Sequence, residues 1–233
     1  MIYQHRLVVA REGRLEKRHS AFQDVAMARL DGHGSVLLGA WEVWIGGEAG
    51  SGVYQLRQFE SLAQWEIHQN KVREDNAFSG ETNTALHPHL DFVDTSIVRM
   101  ADGLPSLPQT WPEIGEVRGA PRGFIEQRII HMRPAQKQTH HALYRNEVEP
   151  ALRGAGVELI GLFDTVIGSG TTNGASHCSV ELRRFADLAS WQAWRELQET
   201  DTTLRELVKN RWMSTVVRID SELLRPLDYS RIR

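Results

Sequence analysis

Residues 2–46 read IYQHRLVVAREGRLEKRHSAF…LDGHGSVLLGAWEVWIG, and residues 124–168 read FIEQRIIHMRPAQKQTHHALY…LRGAGVELIGLFDTVIG. A shift of 122 superimposes the two stretches without a gap. The identical pairs are Arg6/Arg128, Arg11/Arg133, His19/His141, Leu30/Leu152, Gly32/Gly154, Gly34/Gly156, Leu37/Leu159, Gly39/Gly161, Ile45/Ile167 and Gly46/Gly168. Ordinary composition would give roughly three such coincidences over this length. Other positions keep their type, as in Phe22/Tyr144, Leu38/Ile160, Trp41/Phe163 and Glu42/Asp164.

Beyond these stretches the match resumes twice. VYQLRQFESLAQW (53–65) lies on SVELRRFADLASW (179–191), and TSIVRM (95–100) lies on STVVRI (214–219). Blocks that recur in one order imply an internal duplication. Between the copies runs DGLPSLPQTWPEIGEVRGAPRG (102–123), whose prolines and glycines read as a linker rather than an element. The expected division is a first module at 1–101, a linker at 102–123 and a second module at 124–233.

Within the first copy, 2–10 is β-branched and aliphatic, a strand. Leu15, His19, Phe22, Ala26 and Leu30 follow at helical spacing, and Gly32 and Gly34 close the helix. A second strand over 36–45 leads through a Gly-rich turn, 46–52, into a third over 53–59, a hairpin. Ser61 is placed to cap a second helix carrying Leu62, Trp65 and Ile67, and 95–100 is the last strand. The order is βαββαβ, the ferredoxin-like motif. Such a sheet has helices on one face and leaves the other bare, so two of them can cover each other. The expected fold is therefore α+β, with two tandem ferredoxin-like βαββαβ modules closing an intramolecular dimeric α+β barrel around a cavity.

Composition narrows the partners. The formal net charge is −3, and Lys and Arg are interspersed with acidic residues, so no basic block tracks phosphates and nucleic acid is not expected. No apolar run reaches membrane-spanning length, and no apolar signal region precedes Arg6. A single cysteine, Cys178, provides neither an internal disulfide nor a multi-cysteine metal site, and a reducing cytoplasm is the default compartment. There is no P-loop, G-x-S-x-G, H-E-x-x-H or dinucleotide fingerprint. The expected partner is a small-molecule ligand, with no metal and no cofactor, and a homodimer of pseudo-dimers is a further expectation.

The Gly39-Ala40-Trp41 strand, the Phe59-Glu60-Ser61-Leu62-Ala63 helix start and the strand-one–helix signature resemble the NIPSNAP family of the dimeric α+β barrel superfamily. The resemblance spans both copies. The second departs from it at Phe163 and at Ala186-Asp187. It implies the barrel fold and a superfamily of small monooxygenases, isomerases, haem-handling enzymes and ligand-binding modules. It leaves the reaction unassigned.

Candidate site residues come from alternation along the strands. Tyr3, His5 and Leu7 separate from Gln4 and Arg6. In the duplicate, Ile125, Gln127 and Ile129 separate from Glu126 and Arg128. The first set is the more apolar in the duplicate and suits the helices, which points Gln4, Arg6, Glu126 and Arg128 into the barrel cavity, to bind substrate or to pair with one another. Arg57 with Arg183, beside Gln55 and Glu181, and Arg99 with Arg218 recur at matched positions. They either offer a guanidinium fork to a carboxylate, enolate or phenolate or are solvated strand residues. Trp41 is a candidate cavity wall or core filler. His19 and His141 lie on the helical apolar stripe, either as core histidines or as bases at the cavity rim. Adjacent His140 and His141 point about 100° apart and do not share a metal. His87 and His89 fall in a segment read as a loop special to the first copy, either on the surface or at the cavity mouth. His5, facing Gln127 in the duplicate, and His131, facing Val9, break the symmetry, which singles out His5 with His19 and His141 as candidate proton carriers. The favoured function is a cofactor-independent oxygenase, isomerase or cyclase acting on an apolar or aromatic anion. The alternatives are a non-catalytic binder and a scaffold, the last distinguished by a cavity under roughly 300 Å³.

Overall fold

Strands buried along most of their length, on both faces, and the helices between them build an α+β chain around one closed sheet. The structure is a computed structural model that describes residues 1–46, 52–104, 107, 111–112, 114–117, 122–168 and 177–233. The first half runs β1 (Ile2–Ala10), α1 (Leu15–Ala21), a π-helical stretch Phe22–Met27, α2 (Ala28–Gly32), β2 (Val36–Ile45) and β3 (Gly52–Phe59). It continues through α3 (Leu62–Glu74), α4 (Asn76–Ala85), a 3₁₀ turn His87–His89 and β4 (Leu90–Met100). A short α5 (Ile114–Val117) precedes β5 (Phe124–Met132), α6 (Lys137–Leu143), the π-helical Tyr144–Val148, α7 (Glu149–Gly154), β6 (Glu158–Ile167) and β7 (Cys178–Phe185). The chain ends through α8 (Leu188–Thr200), α9 (Thr202–Arg205), the π-helical Glu206–Trp212, a 3₁₀ turn Met213–Thr215 and β8 (Val216–Pro226). Among the described residues no helix is long and apolar enough to cross a membrane.

The strands close into an antiparallel barrel in the order β1-β3-β2-β8-β5-β7-β6-β4. Strands β4-β1-β3-β2 and β8-β5-β7-β6 thus run in the same internal order, and β2–β8 and β4–β6 join them. Polar caps start the helices: Ser61 accepts from the Gln64 amide at 3.2 Å, as expected, and Asp75, Asp187 and Asp201 cap α4, α8 and α9 in the same way. Residues 47–51 of the expected hairpin lie outside the described residues.

The barrel interior is packed. Tyr3, Leu7, Trp41, Tyr54, Leu56, Ile125, Phe163 and Leu182 share one buried cluster. Trp41 is fully buried and donates from Nε1 to the Ile232 carbonyl at 3.1 Å, so the segment after β8 seals this region. A Cβ on Gly39 would lie 2.0 Å from Trp41 Cζ2, and one on Gly161 would lie 2.7 Å from Phe163 Cζ. The Gly-x-aromatic pattern is therefore a packing device: the ring folds back over the bare glycine two residues earlier.

Four expectations are corrected. The set Tyr3, His5, Leu7 faces the barrel interior, while Gln4 and Arg6 face the helices, the reverse of the sequence reading. An interior bounded by two sheets is the drier environment and takes the more apolar face. Segment 102–123 is not a bare linker: Leu107 and Trp111 pack on the barrel core, and α5 lies within it. Finally, Tyr3 pairs with Val98 and Ile125 with Leu224, which sets Arg99 against Arg225 in register, and not against Arg218. The 3₁₀ turns His87–His89 and Met213–Thr215 both lead directly into the last strand of their half, so the first is no insertion.

Candidate functional site

Between the helix-facing side of β1, β3 and β4 and helices α1 to α4 lies a cavity of about 620 Å³. Its apolar wall includes Phe22, Trp65, Val72, Phe78, Leu86 and Ile97. Its polar floor comes from the strands: Gln4 and Arg6 on β1, Gln55 and Arg57 on β3, joined by Arg18 from α1. Residues two apart on a strand share a face, and β1 pairs with β3 so that Arg6 lies opposite Gln55 and Gln4 opposite Arg57. Four strand residues thereby converge on one patch.

The cationic groups of this patch are poorly satisfied. Arg57 donates from Nη1 to Asp31 at 2.9 Å and to Ser35 at 2.7 Å, yet its Nε and Nη2 have no hydrogen-bond partner among the described residues. Among the described residues Arg18 hydrogen-bonds only the Tyr229 hydroxyl and His19 Nδ1, each at 3.4 Å, with its guanidinium over the Phe22 ring, and its Nε is unpaired. Arg6 forms no ion pair among the described residues, and its buried Nε is unbonded. Burial, with the charges of Arg18 and Arg57, pushes Arg6 down to about 10. Both polar side-chain atoms of Gln55 and Nε1 of Trp65 are also buried and unpaired. Most of the unpaired groups are hydrogen-bond donors, arranged for an anion.

The corresponding region of the second half is filled. Glu181, opposite Arg128 in the β5–β7 register, accepts from Arg128 at 3.2 Å and from Arg183 Nε at 2.6 Å, and the Tyr144 hydroxyl donates to it. Glu126 lies 3.5 Å from Arg183 and accepts from Trp191 Nε1 at 3.3 Å. Although burial opposes its ionisation, Arg183 and Arg128 hold the Glu181 carboxyl below the ordinary range. Trp212 stacks under Arg128 at 5.0 Å and Trp194 under Arg183 at 5.7 Å. Where the first half has Gln4, Gln55 and Leu86, the second has Glu126, Glu181 and Trp212. Two amides become carboxylates, and a side chain becomes a plug.

The expected site residues are thus separated. Gln4, Arg6 and Arg57 line the open cavity. Glu126, Arg128, Glu181 and Arg183 form the closed ionic network. Trp41 is barrel core. His5 is buried in the barrel, 2.8 Å from Gln127 Oε1 and stacked on Tyr54, and burial lowers its pKa. His19 bonds the Tyr229 hydroxyl at 2.9 Å, and burial with Arg18 pushes it down to about 4. His141 bonds Asp164 at 3.0 Å beside Lys137. None of these three histidines lines the cavity. Arg99 is exposed, and Arg218 is exposed and paired with Asp220 at 2.7 Å. His131 bonds Asp220 at 3.2 Å and lies 3.1 Å from Cys178. Among the described residues, no three His, Cys, Asp or Glu side chains gather as metal ligands. Sequence reasoning missed Arg18, Trp65 and His68. For His68 a signal existed: it stands seven residues after the Ser61 cap, where Trp194 stands seven after the Asp187 cap.

Comparisons with known proteins place the fold. No family model and no curated protein matches the chain. Among solved structures, an anthrone oxidase-like protein aligns at 12% identity over 97% of this chain and 91% of its own, with a TM-score of 0.60. A candidate monooxygenase from Fusobacterium nucleatum aligns at 13% identity over 97% and 92%, with the same TM-score of 0.60. A NIPSNAP domain protein from Burkholderia xenovorans aligns at 15% identity over 46% of this chain and 100% of its own, with a TM-score of 0.41. The chain has the dimeric α+β barrel fold.

Proposed function

We propose that this chain binds an anionic, largely apolar or aromatic small molecule in the cavity between α1–α4 and the strands, and acts on it as a cofactor-independent enzyme of the oxygenase, isomerase or cyclase type. The proposal includes its origin: two ferredoxin-like modules, 1–101 and 124–233, joined through 102–123, of which the first keeps an open pocket and the second has filled its own.

The observation that carries the reading is the contrast between Arg6 and Arg128. Both are half-buried strand arginines at matched positions, but among the described residues Arg128 is answered by Glu181 and Arg6, whose Nε is buried, by no carboxylate. Burying an unpaired cation is costly, so a site that keeps one is suited to an anion from outside. The volume, about 620 Å³, lies in the range of ligand sites, which disfavours a filled scaffold. The wall of Phe22, Phe78 and Trp65 suits an aromatic or extended apolar body.

The test is calorimetric titration with a panel of aromatic carboxylates and phenolates against wild type and Arg6→Gln. The reading expects saturable binding to wild type, weakened at least about tenfold by Arg6→Gln, since a charge-assisted hydrogen bond contributes roughly 1.5–3 kcal/mol. A panel that leaves wild type unbound, or binds Arg6→Gln equally, defeats it.

A further inference from the structure

His68 projects from α3 into the wall of the same cavity and is 2% exposed. Its Nδ1 lies 3.3 Å from the backbone carbonyl of His33. A carbonyl only accepts, so Nδ1 carries the ring proton, and in the neutral imidazole Nε2 then holds a lone pair. Nε2 has no hydrogen-bond partner among the described residues. The ring is fixed edge-on against Phe59, with centroids 5.2 Å apart. Burial pushes its pKa down to about 4, opposed next by the hydrogen bond to the His33 carbonyl and reinforced by the smaller effects of the Arg57, His33 and Lys71 charges. The pocket, whose rim also carries His87, therefore combines unpaired cationic donors with an oriented basic nitrogen on His68. The matched position in the closed half is Trp194, which titrates nothing.

The arginines say what that base would serve. Arg57 is already paired with Asp31, which leaves Arg6 and Arg18 without a carboxylate among the described residues. An ordinary monoacid needs one of them. The second is placed for negative charge that develops during reaction, which is where preorganised donors accelerate chemistry.

Resting on the anion-pocket reading, we propose that His68 Nε2 is the proton acceptor for a carbon acid, a 2-oxo or 3-oxo acid with an apolar arm, and that the chain catalyses its keto–enol isomerisation. The C–H bond beside the ketone breaks and its proton goes to Nε2. The electron pair forms C=C, and the carbonyl π pair moves onto oxygen as an enolate facing an arginine. The imidazolium returns the proton to oxygen or to carbon, so atoms and electrons balance with no co-reactant.

The probe is phenylpyruvate in D₂O, with loss of its benzylic protons followed by NMR and its binding followed by calorimetry. Wild type is expected to speed exchange at least about a thousandfold over buffer. His68→Gln and His68→Ala are expected to bind within about threefold of wild type yet exchange about 10²-fold more slowly, the lower bound for a lost general base. Two variants of different volume, each checked by thermal unfolding, separate lost chemistry from lost packing. Phenylpyruvate that binds wild type but exchanges at the buffer rate overturns the base and leaves the anion pocket standing. So does exchange that survives in both variants, or a wild-type ¹⁵N spectrum with the His68 proton on Nε2. Phenylpyruvate that does not bind at all removes both the pocket's 2-oxo-acid assignment and the base.

Discussion

Arg6 lies opposite Gln55 in the β1–β3 ladder, and its guanidinium forms no ion pair among the described residues. In the β5–β7 ladder the same place opposite Arg128 is held by Glu181, which bonds both Arg128 and Arg183. An amide in place of this carboxylate, with Gln4 for Glu126 and Leu86 for Trp212, separates a charged, open pocket from a neutralised, filled one. Stability and ligand capacity should consequently move in opposite directions when the two are exchanged.

Glu181→Gln removes the anion shared by two buried guanidinium groups and the acceptor for the Tyr144 hydroxyl. It is expected to destabilise the protein by about 3–5 kcal/mol, the scale for breaking a buried pair from one side. Urea unfolding at neutral pH measures this. A loss under about 1 kcal/mol would show that the network contributes little.

Leu86→Trp places in the first half the residue that fills the second. Leu86 lines the cavity, and Trp212 stands at the matched position, immediately before the 3₁₀ turn leading into β8. The substitution is expected to abolish binding of aromatic carboxylates by occlusion, at least about tenfold, while changing stability by less than about 2 kcal/mol, because the ring enters existing space. Titration and urea unfolding of the same sample read both quantities.

Gly39→Ala tests the packing motif of the barrel. The added methyl would sit 2.0 Å from Trp41 Cζ2, and the ring is wedged in the core with its Nε1 bonded to the Ile232 carbonyl. Overpacking of this kind costs about 1–3 kcal/mol or more. A thermal midpoint unchanged by the substitution would mean that Trp41 can leave its place freely.

Acid should destabilise the fold before the carboxylates titrate. His19, His68 and His140 are each pushed down to about 4 by burial first, then by neighbouring positive groups. Their folded pKa values lie below the unfolded value near 6.5, so between about 6.5 and 4 the unfolded chain holds more protons. Stability is therefore fully present above about 6.5 and lost as pH falls through that window. Urea midpoints at pH 7 and pH 5 should differ in that sense, and His140→Asn should flatten the difference. The proton-transfer rate, which needs neutral His68, should stay level from pH 8 down to about 5.

Much of this was legible in the sequence, and the losses have physical causes. The repeat at a shift of 122 marked strands, helices and their order, and the Ser61 cap lies where the sequence placed it. Alternation separated Tyr3, His5 and Leu7 from Gln4 and Arg6, but period 2 alone does not say which face is drier. The polar set proved to face a helix layer with a cavity in it. Local similarity paired Arg99 with Arg218, whereas hydrogen-bond register, which no short block encodes, sets Arg99 against Arg225. His68 lay three residues past the end of the matched block at Trp65/Trp191, within reach of a longer comparison.

The most direct measurement is the titration of one aromatic carboxylate, chosen as the tightest binder of the panel, against wild type and Gln55→Glu side by side. The new carboxylate would sit beside Arg6 and supply internally the charge that a ligand supplies from outside. Binding should fall at least about a hundredfold while the urea midpoint rises, by about 1–3 kcal/mol in stability. Unchanged affinity in a folded Gln55→Glu protein would place the anion elsewhere and contradict the assignment of this cavity.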